Sequence, residues 1–520
     1  MSEPIVRVLD NPILIAQARR RLRRTQLVSS SLVFGLLGLC ALLIAWSSSS
    51  QKDGFSTLEY VMVIGIALLL LLRGSNRIAE AVREERVSGL LDFHRATPTT
   101  PWTDALGYVL GCPAREYLAS GLLAAFALIA APFSRFSVTA VLASLLVLFV
   151  NGLLYHCFAL WVGLTVSHKR GASGIIIGTL VVVLLTGFGS ESLGAISYLT
   201  PYPAITALLV NPDRTLPAVS FYGVPIHSLW LTLLVQGSVL FGLSHAASRK
   251  IRHDESLSFS RLGTLYLFGW MAFLSLGAVW QYLQPATQAL APSVSRQMDS
   301  ALVIGYLALG TVLAAGLVIG QVPSYLMVLR ALRRARRQGA QQLSWLDDGG
   351  RTEPLTLGLW AMLVAGLLII HRAMASKVQA PLLGEPMMWT LLSTLLYLLF
   401  VQLASEFVRL RHRGSTHAVA VLVFFVSHVL PGLLSIVFRG TDSVPGTLLM
   451  AVCPAFSIVQ SAVFLSDTWF ARIPSSEAIG AIRFSLSVSI PITLLACAYF
   501  SIEVRRCRRD LAAKIAASSP

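Results

Sequence analysis

Two carboxylates beside a short apolar run form the most distinctive chemistry in the sequence. Glu84 and Glu85 open the segment EERVSGLLDFHRATPTTPW. Side chains three or four positions apart meet on one face of a helix. By this spacing, one helical face is predicted to hold Val87, Leu90, Leu91 and His94. Acidic residues next to a small apolar face predict a surface on which a soluble protein docks. The alternative is a solvated amphipathic connector.

A threonine–proline break follows this run, and a second helix is predicted after it. Thr97 and Thr100 each precede a proline, which biases both residues away from helical backbone angles. Thr100 suits the N-cap of the next helix, with Pro101 in its first turn and Asp104 near its positive end. The pattern predicts a helix–break–helix hairpin within an inner loop, 73–115.

Motifs for hydrolysis, metal binding or cofactor binding are absent from the sequence. No GxxxxGK[ST] phosphate loop, HExxH pair or GxSxG elbow occurs, and none of the five lysines follows a glycine. The six cysteines are scattered without a CxxC pair. We therefore expect a chain without catalytic residues, metal or cofactor.

Ionisable residues within the apolar segments are few, which argues against a proton relay through a membrane. The nearest cases are Glu59, His156, His245, Glu406 and His428. For His156, in LLYHCFALW, a hydrogen bond that packs helices together is the first expectation. A substrate contact on a translocation path is the second.

The composition indicates the elements that position these residues. The 520-residue chain is 55% hydrophobic and 13% charged, with a mean hydropathy of +0.70. Soluble domains carry about 25% charged residues. Repeated apolar runs of membrane-spanning length predict an all-α polytopic membrane protein with about 12 transmembrane helices. The spans are predicted at 27–46, 57–72, 116–133, 138–166, 172–189, 225–247, 262–282, 300–328, 354–371, 388–404, 418–437 and 484–503.

The basic residues predict the orientation of these spans. With the N-terminus inside, nine of the 41 lysines and arginines fall in outer loops and 32 in inner segments. Inner loops of membrane proteins collect lysine and arginine. This split predicts a multi-pass protein of the cell inner membrane with both termini cytoplasmic. It also assigns the net charge of +16 to topology and lipid contact, and not to nucleic acid.

Two halves, 1–260 and 261–520, have parallel layouts. Each begins with two spans and a basic inner loop, and each ends in a final span with a basic inner segment. This order predicts a 6+6 parallel pseudo-repeat. The inner loop 329–353 is shorter than 73–115 and matches it poorly, so the second copy of this loop is degenerate.

Each half also has a proline-containing outer segment before its last span, YLTPYPAITALL (198–209) and AVCPAFSIVQSAV (451–463). Proline breaks helices, and broken backbone at membrane depth needs protein or water around it. The segments are therefore either re-entrant elements over a central cavity or outer loops with an interfacial helix. In the first case Pro201, Pro203 and Pro454 line the translocation path.

The hairpin resembles the cytoplasmic coupling segment of ABC-2 type transporter permeases. The matching positions are Glu84, Glu85, Gly89, Leu90, Leu91, Asp92, Thr97 and Pro98. Where family members often carry Gly-Lys in the second helix, this sequence has Gly107 and Tyr108. The N-terminal NPILIAQARRRLRRTQ is similar to the family's interfacial connecting helix, with Asn11 as its cap and Pro12 in its first turn.

The resemblance implies a membrane subunit of an ATP-driven transporter, usually a bacterial exporter. A separate P-loop ABC ATPase would bind and hydrolyse ATP on the cytoplasmic side. If the repeat is real, one chain supplies both halves and binds two ATPase copies, with the first half docking more firmly. If it is not, the chain is expected to form a homodimer.

Three alternatives remain open at this point. A 12-span secondary transporter would be expected to carry buried acids, which are scarce here. A membrane enzyme acting on lipid would need clustered Asp, Glu or His at one membrane face. A scaffold without transport activity has no sequence signature. The apolar spans suit a lipid, a hydrophobic drug or a peptide as substrate and do not discriminate among them.

Overall fold

The computed structural model divides the chain into two compact units, Met1–Ser258 and Phe259–Pro520. The predicted halves meet close to the same point. The structure describes residues 10–96, 99–165, 197–209, 218–253, 256–283, 292–338, 343–374, 384–411, 458, 461–463, 465–466 and 476–517.

In its described residues the first unit is helical apart from one β-hairpin. Its described elements are α1 (Pro12–Arg21), α2 (Arg24–Ser47), α3 (Gln51–Ser88), α4 (Leu90–Ala96), α5 (Pro101–Gly111), α6 (Ala114–Phe133), α7 (Val138–Thr165), α8 (Tyr202–Leu209), β1 (Ala218–Phe221), β2 (Val224–His227) and α9 (Ser228–Arg252). The strands pair antiparallel around Tyr222 and Gly223, whose φ angles of 52° and 85° suit a tight hairpin turn.

The second unit is helical throughout its described ranges. Its elements are α10 (Arg261–Leu283), α11 (Pro292–Gln321), α12 (Tyr325–Arg337), α13 (Glu353–Ala373), α14 (Glu385–Arg411) and α15 (Ser476–Ala517). Helix α12 carries five arginines and no acidic residue. Its buried face packs on the C-terminal parts of α14 and α15 through Val328, Leu410, Val504 and Leu511.

Ten helices in the described ranges are long and apolar enough to cross a membrane: α2, α3, α6, α7, α9, α10, α11, α13, α14 and α15. The chain is thus an α-helical, multi-pass membrane protein, as its composition predicts. Each of the ten overlaps one predicted span. The other two predicted spans, 172–189 and 418–437, lie outside the described residues, so the count of 12 and the 6+6 repeat stay predictions.

The second span is much longer than the sequence suggested. Helix α3 runs without interruption from Gln51 to Ser88, with a π-helical section at Leu68–Gly74. The predicted end of the second span at residue 72 is therefore not the end of its helix, which continues to Ser88. The extension holds because Ile78, Ala79 and Val82 are buried in one apolar cluster with residues of α7. The predicted docking segment is consequently the end of a membrane-spanning helix.

Candidate functional site

Helix α3 ends where Gly89 adopts a left-handed conformation with a φ of 76°. Glycine takes this conformation without the strain that a Cβ atom causes. The short helix α4 then starts at Leu90. Because of this break, the predicted single apolar face does not form. Val87 and Leu90 are exposed, whereas Leu91 is 1% exposed and belongs to the core.

Glu85 is buried and joins three elements instead of facing a partner. Its side chain accepts a hydrogen bond from Gln17 Nε2 on α1 at 2.5 Å, and another from the Tyr108 hydroxyl on α5. His94 Nε2 on α4 lies 3.5 Å from the same carboxylate. The expectation that Glu85 contributes to an exposed acidic surface is therefore wrong, since only 6% of the residue is exposed. Its position fixes the hairpin to the N-terminal helix.

Helices α1 and α5 approach each other closely at two glycines. Asn11 caps α1, as predicted, by accepting from the Ile13 amide at 2.9 Å. A Cβ atom on Gly107 would lie 2.8 Å from Asn11 Nδ2, and one on Gly111 would lie 3.1 Å from the Leu14 carbonyl oxygen. Only residues without a side chain allow this spacing. The GxxxG pattern in GYVLG was the sequence signal for this packing, and sequence reasoning missed it.

Burial shapes the ionisation of groups around α5. It raises the pKa of Tyr108 well above its usual value, and the neighbouring Glu85 carboxylate raises it further. Burial also raises the pKa of the Cys112 thiol to about 12. The pKa of Asp104 is raised by the same cause. Tyr108 therefore remains a hydrogen-bond donor to Glu85 at physiological pH.

The exposed side of the hairpin is apolar with acidic neighbours. Val87, Leu90 and Phe93 are 74%, 45% and 65% exposed. Glu84 and Asp92 are also exposed and lie in the same stretch of chain. We call Val87, Leu90 and Phe93 the apolar knob. The exposed apolar residues of the hairpin thus include Phe93 in place of Leu91, and docking on them stays a prediction.

The apolar knob is tied to other helices by charged side chains. Arg95 donates to the Ile251 carbonyl oxygen at the end of α9 at 2.7 Å and pairs with Asp92 at 2.5 Å. Arg20 on α1 lies 3.7 Å from Glu84. Arginine near a helix C-terminus satisfies carbonyl groups that have no partner within the helix. These contacts join the hairpin to α1 and α9.

The structure confirms the helix that follows the break. The Thr100 hydroxyl accepts from the Thr103 amide at 3.2 Å, and Pro101 is the first residue of α5. The two break residues themselves, Thr97 and Pro98, lie outside the described residues.

His156 has the packing role that was expected first. Its Nε2 lies 2.9 Å from the Leu70 carbonyl oxygen, and its Nδ1 lies 2.7 Å from the Tyr117 hydroxyl. A carbonyl accepts only, so Nε2 carries the proton in the first contact. Leu70 belongs to the π-helical section of α3, which the imidazole ties to α6 and α7. Because both nitrogens are engaged and the residue is fully buried, no atom remains for a substrate.

The proline segment 198–209 packs within the first unit. Pro201 is buried and Pro203 is half-buried. Helix α8 follows, and its Leu209 carbonyl oxygen accepts from Tyr60 on α3 at 3.3 Å. These contacts pack the segment within the first unit, and the choice between a re-entrant element and an outer loop stays a prediction. Pro454, the corresponding residue of the second half, lies outside the described residues.

The second unit has its own buried carboxylate, Glu406 near the end of α14. Arg508 Nε donates to it at 2.7 Å, and the Thr352 hydroxyl donates at 2.9 Å. Gln402 donates to the Thr352 hydroxyl at 3.0 Å. Glu406 is 1% exposed, so this ion pair is shielded from water.

The same arginine helps to fix the loop between α12 and α13. Arg261 and Arg508 both donate to the Gly350 carbonyl oxygen, at 2.9 Å and 3.0 Å. Gly349 packs on α12, where a Cβ atom would lie 2.5 Å from that of Ala331. The described end of the loop predicted as degenerate, 343–352, is thus a turn held by these contacts.

The described residues offer no metal site, and the chain matches no known protein family. No group of three or more His, Cys, Asp or Glu residues in the described ranges is placed to hold a metal ion. Comparison of the chain with protein-family models, curated proteins and solved structures finds no match.

Proposed function

We propose that the chain is the membrane subunit of an ATP-driven transporter of the ABC-2 type. In this proposal a separate P-loop ATPase docks on the apolar knob from the cytoplasm and drives the membrane helices. The observation that carries the proposal is the position of the knob. Val87 lies in the last turn of α3, a helix long and apolar enough to span a membrane, and Leu90 and Phe93 lie in α4 directly after it. Exposed apolar side chains beside acidic residues are the kind of surface that a partner protein covers.

The rigid attachment of the knob supports the same proposal. Force on an exposed patch moves membrane helices only if the patch is firmly joined to them. Glu85 joins the hairpin to α1 and α5, and Arg95 joins it to α9. The resemblance of the hairpin to ABC-2 coupling segments supplies the identity of the motor and export as the direction. The sequence repeat adds two ATPase copies per chain.

The test is recovery of the partner. The full chain is expressed with the genes that adjoin its own, purified in detergent, and examined for a co-purifying P-loop ATPase. We expect one to be recovered with the wild-type chain. A preparation in which no ATPase follows the chain contradicts the proposed function.

A triple substitution then localises the contact. Val87→Ala, Leu90→Ala and Phe93→Ala together remove the knob, and we expect at least a tenfold weaker association, about 1.4 kcal/mol or more. The matched control is Leu36→Ala, Leu43→Ala and Ile44→Ala on α2, where the side chains are equally exposed but lie within a membrane span. Equal ATPase recovery from both triple variants would contradict the assignment of the docking contact to the knob.

A further inference from the structure

An apolar groove lies between α13 and α14 in the second unit. Its volume is about 610 Å³, within the range of about 300–1,000 Å³ that ligand sites occupy. One wall is a single face of α14, where the lining residues recur every three or four positions: Glu385, Met388, Leu391, Leu392 and Leu395. Trp360 on α13 and Trp389 on α14 complete the lining. Met388 and Leu392 are 61% and 41% exposed, so the groove is open along this face.

Both indole rings of the groove are held in place by their N–H groups. Trp360 Nε1 on α13 donates to the Leu391 carbonyl oxygen at 3.1 Å, which holds its ring against α14. Trp389 Nε1 donates to Glu385 Oε1 at 3.2 Å. Because both donors are engaged within the protein, the rings offer a ligand their apolar atoms. Beyond Glu385 the lining is therefore a surface for hydrocarbon.

A pair of opposite charges marks one end of the groove. Arg483 Nη2 on α15 lies 2.5 Å from Glu385 Oε2. The two side chains are 54% and 45% exposed, so both charges are accessible to a ligand. Glu385 and Arg483 come just before the predicted spans 388–404 and 484–503, so we expect the pair at the headgroup level of a membrane.

The length of the groove matches one leaflet of a bilayer. Leu395 follows Glu385 by ten positions, which at 1.5 Å per helical residue is about 15 Å. The hydrocarbon core of a bilayer is about 30 Å thick, so each leaflet contributes about 15 Å. A groove of this length with one charged end complements a lipid that lies along α14.

We propose that this groove binds a zwitterionic phospholipid, with one acyl chain along α14 and the headgroup at Glu385 and Arg483. A guanidinium binds phosphate oxygens through its several N–H donors. The carboxylate of Glu385 pairs with the ammonium group of the same headgroup. An anionic phospholipid has no ammonium for this carboxylate, and a neutral glyceride satisfies neither charge. The accessible pair of opposite charges thus selects the lipid class. The site is independent of the proposed docking of an ATPase.

A matched set of lipids tests the site without any substitution. Dioleoylphosphatidylethanolamine, dioleoylphosphatidylglycerol and dioleoylglycerol are titrated against the full chain in detergent, and bound lipid is measured by native mass spectrometry. The three share their acyl chains. The first has a phosphate and an ammonium, the second has a phosphate alone, and the third has neither. We expect the first to bind at least tenfold more tightly than either of the others. Equal binding of the three, or tighter binding of phosphatidylglycerol, overturns the proposal.

Two variants then assign the preference to the groove. Glu385→Gln removes the partner of the ammonium and is expected to abolish the preference for phosphatidylethanolamine over phosphatidylglycerol. Leu392→Trp fills the groove and is expected to weaken the binding of phosphatidylethanolamine at least tenfold. An unchanged preference in the first variant, or an unchanged affinity in the second, overturns the assignment.

The matched control is Asp53→Asn in the first unit. Asp53 also pairs with an exposed arginine, Arg135, and neither residue lines the groove. We expect this variant to keep the preference for phosphatidylethanolamine. Loss of the preference in Asp53→Asn would overturn the assignment as well, because the preference would then not belong to this groove.

Discussion

In each unit a buried carboxylate lies beside a chain segment outside the predicted spans, Glu85 in the first and Glu406 in the second, and the partners of these two carboxylates differ in kind. Glu85 in the first unit is held by the neutral groups of Gln17 and Tyr108, with His94 nearby. Glu406 in the second unit is held by the guanidinium of Arg508. The first arrangement joins three helices and leaves an apolar knob at the surface. The second holds a loop against the helices. The two sites therefore differ in the side chains that hold the carboxylate.

The exposed groups of the two segments repeat this contrast. Beside Glu85 the large exposed side chains are apolar, and the exposed acids Glu84 and Asp92 pair with Arg20 and Arg95. In the second unit, helix α12 exposes arginines. The large exposed apolar side chains of this region are Leu326 on α12 and Leu346 in the loop after it. Apolar contacts at the centre of an interface supply most of its binding energy. We therefore expect a soluble partner to bind the first unit more tightly than the second.

The largest effect is expected at the ion pair of the second unit. Arg508→Ala leaves Glu406 buried without its counter-charge, which costs about 3–5 kcal/mol. Arg506→Ala is the matched control on the same helix, because Arg506 pairs with Glu503 at 2.6 Å but its side chain is 66% exposed. Exposed pairs contribute about 1 kcal/mol or less. Unfolding by SDS titration in mixed micelles measures both variants. Similar losses in the two variants contradict the contrast between a buried and an exposed pair.

Tyr108→Phe is expected to have an intermediate effect. It removes one hydrogen bond to the buried Glu85 and should cost about 1–3 kcal/mol at pH 7. The pKa of Tyr108 is raised in the folded chain, so the folded state binds the phenolic proton more tightly than the unfolded state. The stability from this group is complete below the ordinary tyrosine pKa of 10.0 and is lost as the pH rises above it. We expect a steep alkaline loss in the wild type and a shallower one in Tyr108→Phe.

Cys112 provides the control for this pH dependence. Its pKa is raised from 9.0 to about 12, so its contribution has the same sign and is lost above pH 9. Cys112→Ala should therefore remove the loss of stability that starts near pH 9 and keep the loss that Tyr108 causes above pH 10. If Tyr108→Phe and the wild type lose stability with the same slope above pH 10, Glu85 is not held as described.

The smallest effect is expected at the end of α3. Gly89→Ala places a Cβ atom on a left-handed residue with open space around it, so the cost is conformational and about 1–2 kcal/mol. Gly121→Ala is the control, since Gly121 lies within helix α6 and also has open space. Alanine is favoured over glycine in a helix, and this control should not destabilise the chain. Thermal unfolding in detergent compares the two, and an equal response would argue against strain at residue 89.

The sequence predicted the elements that depend on local chemistry. The ten described spans follow from apolar runs, which the membrane interior requires. The caps at Asn11 and Thr100 follow from side chains that reach amides two or three residues away. These features need no knowledge of distant residues.

The features that were missed depend on distant residues. Glu84 and Glu85 are adjacent and chemically alike, and only Gln17 and Tyr108 determine which of them is buried. The left-handed Gly89 turns the apolar residues after it, so Leu91 enters the core and Phe93 joins the surface. The second carboxylate, Glu406, meets Arg508 across 102 residues of sequence. No periodicity within one segment contains that information.

The most direct test of the central claim compares how much the ATPase loses affinity when each unit in turn is altered. The dissociation constant of the co-purified ATPase is measured for three chains: the wild type, Val87→Ala with Leu90→Ala and Phe93→Ala, and Leu326→Ala with Leu346→Ala. Our account predicts at least a tenfold weaker Kd for the knob variant and a Kd near that of the wild type for the variant of the second unit. An unchanged Kd in the knob variant would contradict it.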